Sequence, residues 1–340
     1  MTIGWAIIST GRHPDSKMAP AINAASDASL VAVLSRNKAR AEAFASKHGA
    51  TSAYTNIDEL LTNSSVDVVY IASPNALHAE QAIAAASRGK HVLVEKPMAL
   101  SPQDCEAMID ACNQFGVLLG VGFHLRHHPG HKRLGEMLAQ GVLGTIAFAE
   151  ANWGRGSRGQ TKPPPRTELQ AWWDDPSLVG AGAFMATGVH CVDTLRHVLR
   201  KEVETISAMT DSTESAPLEE LLALNMTFEG GILGRVMTGR RTPDYTHNDV
   251  TIYGSLGSAC VRGSIDMAYG GTLEVATSDV TVSEKYGPDP IELYKNQVEA
   301  YCMAVSSGAA LPASGFDGLK AAEITQGMLR SKETGRTVKI

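Results

Sequence analysis

Cysteine is sparse in these 340 residues: Cys105, Cys112, Cys191, Cys260 and Cys302 stand far apart, and no pair has a CxxC spacing. An odd, dispersed set fits neither a disulfide framework nor a thiolate zinc site, and suits reduced thiols in a cytoplasm. Long apolar runs are also lacking. None is expected to approach the roughly 20 residues that span a bilayer, and the N-terminus has neither the basic region nor the apolar core of a secretion signal. No basic run offsets the net charge of −6, which argues against nucleic acid or an anionic membrane as partner. The most basic stretch, Arg155 to Arg166, is broken by glycines and by Pro163, Pro164 and Pro165, and reads as a surface loop.

What is present is ample for a buried core. With 44% hydrophobic and 19% charged residues, the chain suits one large or two ordinary domains. Its first third alternates strand and helix signals. Apolar runs at Ile3–Ile8, Leu30–Leu34, Val66–Ile71, His91–Val94 and Val117–Val121 predict strands. Between them, Asn56 with Glu59 resembles a capping box, and Ser101, Pro102 and Asp104 fit an N-cap, a first-turn proline and an acidic first turn. Gly49, Gly89 and Gly116 fit helix C-terminal positions. This order predicts βαβ units and a doubly wound parallel sheet covered on both faces. After residue 122 the pattern changes. Helices are expected near Pro129–Gln140 and Met185–Leu199, a strand near Ile146–Trp153, and then mostly strands from Val203 to Val282. Consecutive strands without helices between them predict an antiparallel sheet. Helices near Ile291–Ser306 and Asp317–Lys332 finish the chain. The expected fold class is α/β over 1–122, followed over 123–340 by an α+β domain with an open, mainly antiparallel sheet.

The first strand end raises a question, because "IISTGRHPDS" carries only Gly11 where a dinucleotide-binding turn usually has three glycines. By position Ser9 takes the place of the first, Gly11 of the second, which lets phosphate approach the backbone, and Pro14 of the third. Ser9, Thr10, Gly11, Arg12 and His13 are the candidate cofactor residues here, with an ordinary βα turn as the other reading. At the second strand end, "AVLSRNKAR" offers Ser35 and Arg36, with Lys38 and Arg40 nearby, in place of a carboxylate. A guanidinium can bind a 2′-phosphate that a carboxylate would repel. The expected cofactor is therefore NADP, with NAD second.

"GKHVLVEKPMAL", ending a strand in Glu95-Lys96-Pro97, and "SPNALH" before it are more specific. Together with "GFHLRHHP", "QGVLGTI", "GVHCVDTLRHVL", "SGFDGLKAAEI" and "TGRTVKI", they give the chain a resemblance to the glucose–fructose oxidoreductase/inositol dehydrogenase/MocA family. The layout of "FHLRHHPGHKRL" is similar to the family's NADP-dependent 1,5-anhydrofructose reductase branch. The resemblance implies a Rossmann domain, a second domain with an open sheet, and hydride transfer between nicotinamide and a sugar-like carbon. It implies that Lys96 hydrogen-bonds the reacting oxygen and that His190, whose type titrates near neutrality, moves the proton. Ser73, Pro74, Asn75, His78 and Glu95 become candidate cofactor residues. His124, Arg126, Trp172, Trp173 and Asp193 become candidate substrate residues. For several of these a structural role stands beside the functional one. Asp193 either orients His190 or anchors its helix, Arg126 either meets substrate or pairs internally, and the tryptophans line a pocket or anchor a loop. His124, His127, His128 and His131 have no nearby carboxylate or cysteine to complete a metal set, so no metal is expected.

The chain also departs from the family pattern. Ala186 stands where an aspartate is usual, four residues before His190, and Trp172-Trp173 stands where Trp-Arg is frequent. Two polar groups of the implied sugar site are missing, which favours a deoxygenated sugar, an anhydro sugar or a cyclic ketone. The leading expectation is a cytoplasmic NADP(H)-linked oxidoreductase with a small-molecule substrate, in a homo-oligomer. A catalytically silent NADP-binding sensor and a redox-assisted glycoside hydrolase are the alternatives.

Overall fold

The computed structural model describes residues 2–155, 166, 168–241, 248–265 and 269–340. Most of the basic stretch read as a surface loop therefore lies outside the described residues. The chain forms two compact units, drawn from 1–124, 167–180 and 291–322 and from 125–166, 181–290 and 323–340. The sequence reading places one boundary after residue 122, whereas the units interleave along the chain. By packing, the first unit also takes in 167–180 and 291–322, because helices late in the chain lie on its sheet.

The first unit holds a six-stranded sheet of β1 (Ile3–Ile8), β2 (Ala28–Leu34), β3 (Ser52–Tyr54), β4 (Val68–Ile71), β5 (His91–Val94) and β6 (Leu119–Val121). Their order is 3-2-1-4-5-6 and every pairing is parallel, the doubly wound arrangement of a dinucleotide-binding fold. β1 and β4 are buried at every position, as strands covered on both faces must be. The caps match the sequence reading. Asn56 accepts from the Asp58 and Glu59 amides, and Ser101 from the Asp104 amide. Gly49, Gly89 and Gly116 close their helices at φ 77°, 69° and 66°, where a Cβ would be strained. β3 went unpredicted, since three residues carry too little periodicity to register. From the helix Glu292–Ser307, the Tyr301 hydroxyl donates to the carbonyls of Val92 and Leu118.

The second unit is built on β7 (Ile146–Gly154), β8 (Val203–Thr210), β9 (Leu221–Phe228), β10 (Ile232–Gly239), β11 (Val250–Gly254), β12 (Gly257–Arg262), β13 (Gly271–Thr277), β14 (Thr281–Tyr286) and β15 (Val338–Lys339). These run in the order 14-13-12-11-7-10-9-8-15. Among the described residues, only the β7–β10 pair of this sheet is parallel. Burial alternates along β9 and β10, so one face of the sheet is packed and the other open. One expectation is corrected here. The stretch Pro176–Leu199 is long and apolar enough to cross a bilayer, but 78% of its apolar window is buried, as in a core helix.

Candidate active site

In a parallel sheet every carboxyl end lies on one edge, and in this fold ligands bind beyond that edge. The first unit therefore brings together the turn after β1, Ser35 after β2, Ser73 to Asn75 after β4, Glu95 to Pro97 after β5, and His124 after β6. Ser9 adopts φ 117°, a conformation glycine favours, so the backbone keeps the fingerprint shape without the fingerprint residue. The strain costs about 1–3 kcal/mol, partly offset because the Gly11 amide donates to Ser9 Oγ at 3.2 Å. At Gly11 a Cβ would meet nothing closer than Ser9 Oγ at 3.4 Å, so phosphate can approach open backbone there. The helix that follows presents first-turn N–H groups with no intrahelical acceptor, a natural anion seat. These residues fit a dinucleotide pyrophosphate. At β2, buried Ser35 accepts from Thr10 Oγ1 at 3.2 Å and from the Asn37 amide at 3.4 Å. Arg36 and Lys38 are exposed beside it, leaving cationic groups rather than a carboxylate for the ribose.

The loop after β4 is held from within. Ser73 Oγ donates to Gln81 Oε1 at 2.6 Å, and Asn75 Nδ2 donates to the Val179 carbonyl at 3.0 Å. His78 is wholly buried, with Nδ1 3.0 Å from the Pro97 carbonyl and Nε2 2.9 Å from that of Ser73. Burial holds its pKa below the ordinary histidine value despite both carbonyls. The cofactor contact expected of His78 is corrected accordingly: the ring ties this loop to the Lys96–Pro97 turn, whose peptide is cis.

Glu95 is 9% exposed and Lys96 half-buried. Glu95 Oε1 accepts from the Tyr70 hydroxyl at 2.7 Å and lies 3.2 Å from His13 Nε2, while Oε2 accepts the Lys96 amide at 3.2 Å. Burial alone would raise the Glu95 pKa. The charges of His13 and Lys96 and the Tyr70 hydrogen bond outweigh it and bring the carboxyl to about 2. Tyr70 is missing from the predicted site. A tyrosine in an otherwise aliphatic strand was the available signal, because a buried hydroxyl needs a partner. His124 is 3% exposed and stacks on Tyr294 with ring centroids 4.6 Å apart. Trp172 and Trp173 stack on each other at 4.5 Å, both half-buried.

In the second unit, His190 lies on the helix Val189–Leu199, directly after a π-turn, Phe184–Gly188. Such turns are common at functional sites, and this one replaces the first part of the helix expected from Met185. Buried Glu219 accepts from the Gly182 and Phe184 amides at 3.0 and 2.9 Å. Burial raises its pKa. The Thr187 hydroxyl bonds the Ala183 carbonyl and the Thr238 hydroxyl. His190 is 3% exposed, its ring 5.5 Å from that of Trp153, a neighbour no motif announced. Ala186 is half-buried one turn earlier.

Asp193 is claimed by arginines. Arg126 donates through Nε to Oδ2 at 2.9 Å and through Nη2 to Oδ1 at 2.6 Å, and Arg196 Nη1 lies 3.5 Å from Oδ1. Arg196 in turn clasps Glu202 at 2.7 and 2.8 Å. Arg126 and Asp193 are 6% and 2% exposed. Of the two roles weighed for each, the geometry favours internal pairing for Arg126 and anchoring the helix for Asp193. His128 and His131 are held from within the unit as well. His131 meets the Leu125 carbonyl and Ser264 Oγ, and His128 the Gly270 carbonyl.

Comparison with known proteins agrees with this architecture. Residues 3–123 match the family described as "Oxidoreductase family, NAD-binding Rossmann fold", and residues 131–260 match the GFO/IDH/MocA C-terminal domain. A 1,5-anhydro-D-fructose reductase of Ensifer adhaerens is 28% identical over 92% of this chain and 91% of its own. A D-xylose 1-dehydrogenase (NADP(+)) of Haloferax volcanii is 29% identical over 99% of each. Among solved structures, a levoglucosan dehydrogenase in complex with NADH and levoglucosan superposes with a TM-score of 0.88 at 21% identity, covering 100% of both chains.

Proposed function

This chain belongs to the GFO/IDH/MocA family of oxidoreductases, and from that membership we propose an NADP(H)-linked enzyme acting on a carbonyl/hydroxyl carbon of a sugar-like ring. The family and its relatives make the chain an NAD(P)-dependent oxidoreductase acting on CH–OH groups. The bound nicotinamide would supply or accept the hydride. The chain's own part is to hold the reacting oxygen and move its proton. Lys96 donates hydrogen bonds to that oxygen and stabilises its developing charge, and His190 exchanges the proton. Cationic Arg36 and Lys38 at the β2 end support NADP.

The observation that carries the reading is Lys96 itself: an ammonium at the ligand edge of a parallel sheet, its backbone anchored by an ionised Glu95. Ala186 and the Trp172–Trp173 stack favour a substrate with fewer hydroxyls than a free sugar, and the anhydro-sugar enzymes among the relatives point the same way. A row of apolar side chains on the open face of the second sheet, exposed Leu233 and Tyr253 flanking Phe148, supports self-association. A reduced cytoplasm suits the five free cysteines. The test is NADPH oxidation across a panel of keto-sugars, anhydro-sugars and cyclic ketones. Turnover by the wild type that Lys96→Ala abolishes supports the reading, and unchanged turnover in that variant refutes it.

A further inference from the structure

Glu95 is enclosed on several sides. The β6 end runs so close behind it that a Cβ at Gly122 would stand 2.7 Å from Oε1 and would push the carboxylate aside. Tyr70 is wholly buried beneath the carboxylate, and the His78 ring lies within its field. His13 differs from these neighbours, because 36% of its side chain is open to solvent. It stands on the turn after β1, on the edge that the pyrophosphate would approach. Its Nε2 lies 3.2 Å from Oε1, within ion-pair range when the imidazole is protonated. The ring is steadied from the other side by Tyr294, edge-on at 5.3 Å, and Tyr294 itself lies against His124. Lys17 sits 5.9 Å from the Tyr294 ring centroid.

We propose that His13 is a positioning residue, holding Glu95 and through it the backbone at Lys96, so that the β1 turn and the lysine-bearing strand end move as one piece. The chain of contacts is short: imidazole to Oε1, and Oε2 to the Lys96 amide. A carboxylate this buried is costly without compensating charge. Loss of the His13 imidazole therefore leaves Glu95 to take up a proton or shift its position, and either change loosens the amide that fixes Lys96. The use made of Lys96 rests on the oxidoreductase reading; the linkage itself does not.

The test compares His13→Phe, which keeps a ring against Tyr294 without its nitrogens, with His13→Lys, which supplies a cation. In the isotope-labelled full chain, carboxyl NMR follows the Glu95 titration and amide exchange follows Lys96. His13→Phe should raise the Glu95 midpoint by about one unit or more and speed Lys96 amide exchange by about tenfold. It should lower kcat on the order of 10- to 100-fold. His13→Lys should recover most of each effect. Unchanged Glu95 and Lys96 signals in His13→Phe overturn the proposal, as do equal defects in both variants, which would implicate the ring alone. A wild type that transfers hydride to no substrate refutes the oxidoreductase reading, and the two NMR signals still decide the linkage.

Discussion

Arg126 and Asp193 grip each other through two parallel hydrogen bonds in the interior of the second unit. Removing Arg126 leaves buried Asp193 to the longer Arg196 contact at 3.5 Å; breaking a buried pair typically costs about 3–5 kcal/mol, whereas an apolar replacement of both partners costs far less. Arg126→Ala should therefore lower unfolding stability by about 3 kcal/mol or more, and Arg126→Met with Asp193→Leu should recover much of it. Urea denaturation measures both. A stable Arg126→Ala protein with a raised KM would instead return this arginine to the substrate.

His190 and Lys96 are assigned different work. His190→Ala should lower kcat by about 10²- to 10⁴-fold and leave NADPH affinity near wild type. In steady-state assays its pH profile should lose the limb assigned to imidazole. A variant that retains both rate and profile would remove His190 from the proton transfer.

Acid should destabilise the protein partly through Glu95. Its carboxyl titrates near 2 in the folded chain against an ordinary 4.5, so the stabilisation is present above about pH 4.5 and lost as pH falls towards 2. The difference corresponds to about 3 kcal/mol at neutral pH. Glu95→Gln should therefore be less stable than wild type at pH 7, and the gap should close by about pH 2. Denaturation midpoints across that range would reveal a parallel offset instead if the carboxylate is not held ionised by its neighbours.

Cofactor choice should follow the β2 end. Arg36→Asp should weaken NADPH binding by about 10- to 100-fold, the worth of one or two charge-assisted hydrogen bonds. NADH binding should hold or improve. Nicotinamide fluorescence titrations measure both, and an unchanged NADPH Kd would move the 2′-phosphate elsewhere.

Ser9 offers a test of the altered turn. Ser9→Gly relieves the φ of 117° but loses the bond from the Gly11 amide, so its Tm should stay near wild type. Ser9→Ala keeps the strain and loses the bond, and should be less stable by about 1 kcal/mol. Equal Tm values for the two variants would mean that the side-chain bond alone matters.

By itself the sequence determined whatever depends on near neighbours. The strand runs, the caps at Asn56 and Ser101, the closing glycines and the Glu-Lys-Pro strand end were legible because each is a local pattern of period, turn or cap. Even the doubtful turn kept its shape, with Ser9 folded as a glycine would be. Tertiary structure decided the partnerships. Arg126 meets Asp193 from 67 positions away, and Tyr70 meets Glu95 from 25. His13 finds Tyr294 on a helix near the other end of the chain. No local pattern encodes such pairs, because a buried charge takes whichever opposite charge the packed fold brings within a few ångströms. That is why the sequence left Arg126 and Asp193 open between ligand contact and internal pairing, and the packed fold joins them to each other.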